Sequence, residues 1–106
     1  MPECIFCKIA KKEAPAKIEY EDNDVMAFWD INPKAKIHLL IIPKRHIKSI
    51  LDVKKEDMSL VCKLINVAQQ LAKEKKIDKS GFRMTINTGP WSGQIVEHLH
   101  LHLTGG

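Results

Sequence analysis

The sequence predicts an α+β domain: a five-stranded, mainly antiparallel sheet with one long helix and a short N-terminal helix. Three stretches carry that prediction. His98-Leu99-His100-Leu101-His102-Leu103 alternates strictly, which puts three imidazoles on one face of a strand and three leucines on the other. Ile37 to Ile42 is almost continuously apolar and closed by Pro43, the pattern of a central strand buried on both faces. From about Lys54 to Lys76, the residues Val61, Leu64, Ile65, Ala68, Leu71 and Ala72 recur at three-to-four spacing, giving a single long helix one apolar stripe.

The remaining elements follow in chain order. Cys4-Ile5-Phe6-Cys7-Lys8-Ile9-Ala10 suits one or two helical turns, finished by Pro15. Lys17–Tyr20 and Val25–Asp30 flank the turn formers Glu21-Asp22-Asn23-Asp24 and read as a hairpin, which Ile31-Asn32-Pro33 then breaks. Asp52 is placed to cap the long helix. Asp78-Lys79-Ser80-Gly81 leads into Phe82–Asn87, a fourth full strand, and the tight loop Thr88–Gly93 returns the chain to the histidine strand. Gly105-Gly106 supplies the turn that ends it. The leucines of that strand are expected in the helix-packed core, the imidazoles on the open side.

With 106 residues, 44% of them hydrophobic, the chain makes one domain spanning 1–106, without repeats or linkers. The formal charge of +4 is spread over dispersed lysines; such a field favours anionic ligands such as nucleotides, but lacks the interleaved aromatics of a nucleic-acid surface. The longest apolar run is the six-residue stretch around Ile37–Ile42, so neither a membrane span nor a signal peptide is expected. Three cysteines, an odd number without a paired framework, point to the cytoplasm.

Two constellations carry chemistry. Cys4-x-x-Cys7 lacks the preceding strand that a redox motif needs, and as a zinc site it requires two more ligands. His46, just past the central strand, and His98 are the candidates. A closed two-cysteine, two-histidine site has no open position and is therefore structural. That leaves His100 and His102 for chemistry, with His38 beside them, Asn87 on the neighbouring strand, and the loop 89–94, where Gly93 lets a backbone N–H approach a phosphate. A catalytic zinc on the three histidines competes with this reading, weakened because the cysteines are better ligands. Cys62, mid-helix, reads as a small packing residue.

The run Gly93-Gln94-Ile95-Val96-Glu97-His98-Leu99-His100-Leu101-His102-Leu103-Thr104-Gly105-Gly106 resembles the signature of the histidine triad family, His-φ-His-φ-His-φ-φ with φ apolar. Cys4–Ile9, Pro15–Lys17, Tyr20–Asp22, Asp30–Pro33, His38, Ile42–Ile47 and Asn87 are similar to segments of its Hint branch, so the resemblance covers essentially the whole chain. It implies a HIT-like fold, with two sheets joined into ten strands in a homodimer, and hydrolysis of purine nucleoside 5′-phosphoramidates or related nucleotidyl conjugates at the α-phosphorus. In that resemblance His100 is the nucleophile that carries the nucleotidyl group, and His102, His38, Asn87, Gly93, Gln94 and Ile95 bind or support the phosphate. Ile5, Phe6, Ile9, Trp29, Asp30 and Ile31 hold the nucleoside, Asp30 through the ribose hydroxyls. Cys4, Cys7, His46 and His98 bind a structural zinc. Two neighbouring readings share the same residues: cleavage of dinucleoside polyphosphates, and a nucleotide-binding module with little turnover. Ile95 stands where many Hint proteins have a serine near the leaving group, which predicts a reduced rate, and Glu97 stands at a position that is usually aromatic.

Overall fold

Ile5–Ala10 forms helix α1 in the computed structural model, which describes residues 4–106; the first three residues of the expected domain lie outside the described residues. Strands β1 (Ile18–Glu21) and β2 (Val25–Trp29) follow as the expected hairpin. Its turn is held by one side chain. Asp22 Oδ1 accepts the Asp24 and Val25 N–H groups at 2.8 and 3.0 Å, while Oδ2 accepts the Tyr20 hydroxyl at 2.8 Å. Strands β3 (Ile37–Pro43), β4 (Phe82–Thr85) and β5 (Leu101–Gly105) complete a five-stranded sheet of order β1-β2-β3-β5-β4, each neighbouring pair antiparallel.

Alternation assigns the two faces. Val25, Ala27, Leu39, Ile41, Leu101 and Leu103 point to one side and are covered by helix α2 (Met58–Glu74) through Leu64, Val67, Ala68, Leu71 and Ala72. Met26, Phe28, Leu40 and Ile42 point to the other side and meet Phe6 and Ile9 of α1. Burying each such side chain contributes roughly 1.5–3 kcal/mol. The β3 reading is therefore correct: its middle is buried on both faces because a helix lies on each.

Six expectations are corrected. The long helix begins at Met58 rather than near Lys54, after two 3-10 turns (Ile50–Asp52 and Lys55–Asp57). Asp52 does not cap it, because its carboxylate accepts the Ser49 hydroxyl in the first of those turns. Ile65 is exposed and Val67 is buried, since the stripe facing the sheet runs through Leu64, Val67, Ala68 and Leu71. The histidine strand enters the ladder at Leu101, not His98: the Leu99 N–H donates to Ile47 O at 2.6 Å, tying the preceding residues to a loop. Gly105 does not end that strand in a turn. It pairs with Ile37 and Phe82, and a Cβ there would stand 2.7 Å from Ile77 Cδ1, so glycine allows the close packing. β4 is shorter than expected and lies at the sheet edge, with Phe82 and Met84 exposed. No helix among the described residues is long and apolar enough to cross a membrane.

Candidate active site and metal centre

A cleft of about 1250 Å³ lies on the sheet face opposite α2, between α1, the 30–36 loop and the 89–96 loop. His100, His102 and His38 all line it, as alternation on β5 and β3 requires. Each imidazole is held by a different partner, and the partners assign the tautomers.

His100 Nδ1 stands 2.7 Å from the carbonyl of His98. A carbonyl only accepts, so Nδ1 carries the proton and Nε2 keeps its lone pair. Burial lowers the pKa of this imidazole, which keeps it neutral near pH 7. Phe6 packs edge-on against its ring with centroids 5.2 Å apart. A second chain of protons starts at the Lys34 N–H, which donates to His38 Nδ1 at 3.0 Å. His38 must then be protonated at Nε2, from which it donates to His102 Nδ1 at 2.9 Å, with Asp30 Oδ2 at 3.4 Å. His102 is consequently a donor at Nε2. Burial, with His100 and His38 beside it, holds its pKa down at about 4. Asp30, His38 and His102 bring donor atoms close enough for a metal ion, but His38 cannot ligate through Nε2 while Nδ1 accepts a hydrogen bond without losing both ring protons. The three form a hydrogen-bonded relay instead.

The other expected residues divide. Ile5, Phe6, Ile9, Asp30 and Ile31 line the cleft, with Asn87, Gly93 and Ile95 at its loop end. Trp29 borders the cleft, but its indole packs with the α2-side cluster, donating from Nε1 to Glu19 at 2.7 Å between Lys17 and Lys75. Phe28, one position earlier on β2 and therefore on the other face, lines the cleft 5.4 Å from Phe6. Strict alternation from Asp30 backwards was the signal for it. The Gln94 side chain accepts the Gly89 N–H and donates to Lys48 O and Val96 O, bracing the loop from behind. The N–H groups of Gly93 and Gln94 donate to Pro90 O and Gly89 O inside the same turn. Asn87 donates one amide hydrogen to Ser92 O at 2.9 Å and keeps its second hydrogen and its oxygen for the cleft.

At the far side of Phe6, Cys4, Cys7, His46 and His98 place their donor atoms within 4.8 Å of one another. The Sγ to Nδ1 separations are 3.4 Å for Cys4–His98, 3.5 Å for Cys7–His98 and 3.2 Å for Cys7–His46. A tetrahedral zinc with bonds of about 2.3 Å to sulfur and 2.0 Å to nitrogen has sulfur–nitrogen edges of about 3.5 Å. The set fits. The tautomer fits as well: His98 Nε2–H donates to Pro43 O at 2.8 Å, which leaves Nδ1 unprotonated and aimed at the two sulfurs.

A family model described as "Scavenger mRNA decapping enzyme C-term binding" matches residues 3–105. Protein HitA of Neisseria gonorrhoeae is 46% identical over 105 residues, covering 99% of this chain and 97% of that protein. A HIT family hydrolase from Legionella pneumophila Philadelphia 1 superposes with a TM-score of 0.97 at 45% identity, over 98% of this chain and 93% of the other. A histidine triad protein from Clostridium difficile gives 0.95 at 44% identity, over 100% and 94%. With the alternating histidines facing one cleft and these relatives matched over almost their whole length, the chain belongs to the histidine triad (HIT) family.

Proposed function

We propose that this protein is a nucleotide hydrolase of the Hint kind, cleaving nucleoside 5′-phosphoramidates or related nucleotidyl conjugates at the α-phosphorus through a nucleotidyl-histidine intermediate. The HIT family hydrolase among its relatives supports the general class. The observation that carries the finer reading is the His100 tautomer: a neutral imidazole, pinned at Nδ1 by a backbone carbonyl, with Nε2 bare toward the cleft. Attack by Nε2 forms a nitrogen–phosphorus bond as the bond to the leaving group breaks. Water then cleaves the phosphoramidate, returning free His100 and a nucleoside 5′-monophosphate.

The rest of the cleft suits that substrate. Ile5, Phe6, Ile9 and Phe28 form an apolar slot for a purine, and the Asp30 carboxylate lies where ribose hydroxyls would donate to it. His102 Nε2–H, fixed by the relay through His38, would meet a phosphate oxygen as negative charge develops. Ile95 lines the leaving-group side and offers no proton, which slows departure of an amine. Cys4, Cys7, His46 and His98 would hold a zinc ion, which when bound supplies a rigid cross-link between α1 and the start of the histidine run. A homodimer accounts for the exposed Phe82 and Met84 on the edge strand β4, which a partner's strand would cover.

The test is release of AMP from adenosine 5′-phosphoramidate by wild type and His100→Ala, with mass spectrometry of acid-quenched protein. Turnover with an AMP adduct, both absent in His100→Ala, is expected. Binding of AMP without turnover or labelling in the wild type would overturn the enzyme reading and leave a nucleotide-binding module.

A further inference from the structure

We infer that the cleft continues beyond the histidines into a cationic subsite, centred on Arg83, that selects nucleotidyl conjugates whose leaving group carries a negative charge; the inference rests on the nucleotidyl-hydrolase reading. Sheet order gives the path. From the Asp30 end of β2, a nucleotide crosses β3 at His38 and reaches β5 at His102, and the next strand in that direction is β4. Thr85 lies opposite His102 and Arg83 opposite Thr104, so both project on the cleft face of β4, while Phe82 and Met84 alternate to the other face. An in-line displacement puts the leaving group on the side of phosphorus away from His100, and the subsite takes these residues as what it meets there.

The chemistry of that end is one-sided. Arg83 and Lys36 line the cleft with the hydroxyls of Thr85 and Thr104, and Lys34 lines it beside His38, to which its N–H donates. Lys36 is close to the strand end, its Cβ standing 3.1 Å from where a Gly106 Cβ would lie. Asp30, at the ribose end and within 3.4 Å of His38, is the one side-chain carboxylate lining the cleft among the described residues. Among the described residues, the carboxylates form ion pairs with Lys12, Lys44, Arg45, Lys48, Lys63 and Lys75, and none with Arg83, Lys34 or Lys36. Three uncompensated cations around a cleft larger than the roughly 300–1,000 Å³ of an ordinary ligand site leave room and charge for an anion beyond the α-phosphate. The shared chemistry is an anionic oxygen cluster, and a carboxylate or a phosphate could supply it.

The experiment compares matched substrates whose scissile phosphorus–nitrogen bond is the same: AMP linked through nitrogen to β-alanine, to β-alanine amide, and to aminoethyl phosphate. Wild type should favour a charged conjugate over the amide by about tenfold in kcat/KM, the scale of one charge-assisted contact. The preferred anion tells carboxylate from phosphate. In Arg83→Gln that ratio should fall at least fivefold, with Arg83→Lys restoring part of it and 0.5 M salt compressing it in wild type. Equal rates on charged and neutral conjugates, or a ratio untouched by Arg83→Gln, overturn the subsite. If no conjugate releases AMP, the hydrolase reading fails separately, and the subsite is then judged by affinity: charged and neutral conjugates binding equally would overturn it.

Discussion

His98 and His100 are two residues apart, point to the same side of the sheet and do opposite things. Each has one ring nitrogen fixed by a backbone carbonyl, but not the same nitrogen. Pro43 O takes the proton of His98 Nε2 and turns Nδ1 to the sulfurs of Cys4 and Cys7, whereas His98 O takes the proton of His100 Nδ1 and turns Nε2 to the cleft. One imidazole thereby turns its lone pair into a closed cluster and the other turns its own into an open cleft. Residue type did not decide this; the position of a carbonyl did. Phe6, between the two cysteines in sequence, packs against both rings, at 5.9 Å from His98 and 5.2 Å from His100.

The comparison breaks most sharply by substitution. His100→Ala should lower turnover of adenosine 5′-phosphoramidate by about 10³-fold or more, while its thermal midpoint falls less than that of His98→Ala, because the lost ring borders a cleft. His98→Ala should do the reverse in emphasis. It removes a fully buried ring, a hydrogen bond to Pro43 and a proposed metal ligand, so the melting temperature should fall by about 10 °C or more. Calorimetry and steady-state kinetics on both variants check the contrast; equal loss of stability would erase it.

A smaller effect separates the metal cluster from the cleft. Zinc should bind at one ion per chain, and Cys7→Ser should abolish stoichiometric binding, read by elemental analysis after gel filtration. Zinc retained by Cys7→Ser and lost from His102→Ala would place the metal among the catalytic histidines and invert the assignment.

The acid limb of the rate profile sharpens the relay. His102 has a pKa near 4 in the folded protein against 6.5 in water. A depressed histidine pKa means the neutral form survives acidification, and protonation at Nδ1 would set it against the Nε2–H of His38. Burial holds the pKa of His100 down as well, so kcat/KM should stay level as pH falls through 6.5 and decline only below it. His38→Phe, which removes the donor to His102, should cost about tenfold and distort that limb; a limb centred at 6.5 in wild type would mean that the cleft imidazoles are not held neutral.

Much of this was legible in the alternation alone. The faces of β2, β3 and β5, and the pairing of Leu101 and Leu103 with α2, follow from a period of two, and the cluster of Cys4, Cys7, His46 and His98 follows from counting donors. Parity also puts Phe28 on the cleft face with Asp30 and turns the Trp29 indole to the other side. What a local sequence does not tell is whether an N–H is already bonded inside its own turn, as those of Gly93 and Gln94 are here. The strand start slipped to Leu101 because a loop carbonyl, Ile47 O, takes the Leu99 N–H from 52 positions' distance in the chain, and the tautomers depend on Pro43 and Lys34, which no histidine motif contains.

The smallest expected effect concerns an apolar residue at the mouth of the cleft. Ile95 is 91% exposed at the loop end, beside the leaving-group position of the proposed reaction. An amine leaves phosphorus as a neutral molecule only if it gains a proton, and a hydroxyl at this position could relay one. Ile95→Ser should raise kcat on adenosine 5′-phosphoramidate by roughly threefold to tenfold, a small part of what full general-acid catalysis supplies. The same variant should change little on the p-nitrophenyl ester of AMP, whose leaving group departs as a stable anion and needs no proton. The two substrates together separate proton supply from a general reshaping of the loop. A gain on both would point to the 89–96 loop itself, where Gln94 ties Gly89, Lys48 and Val96 together behind the cleft.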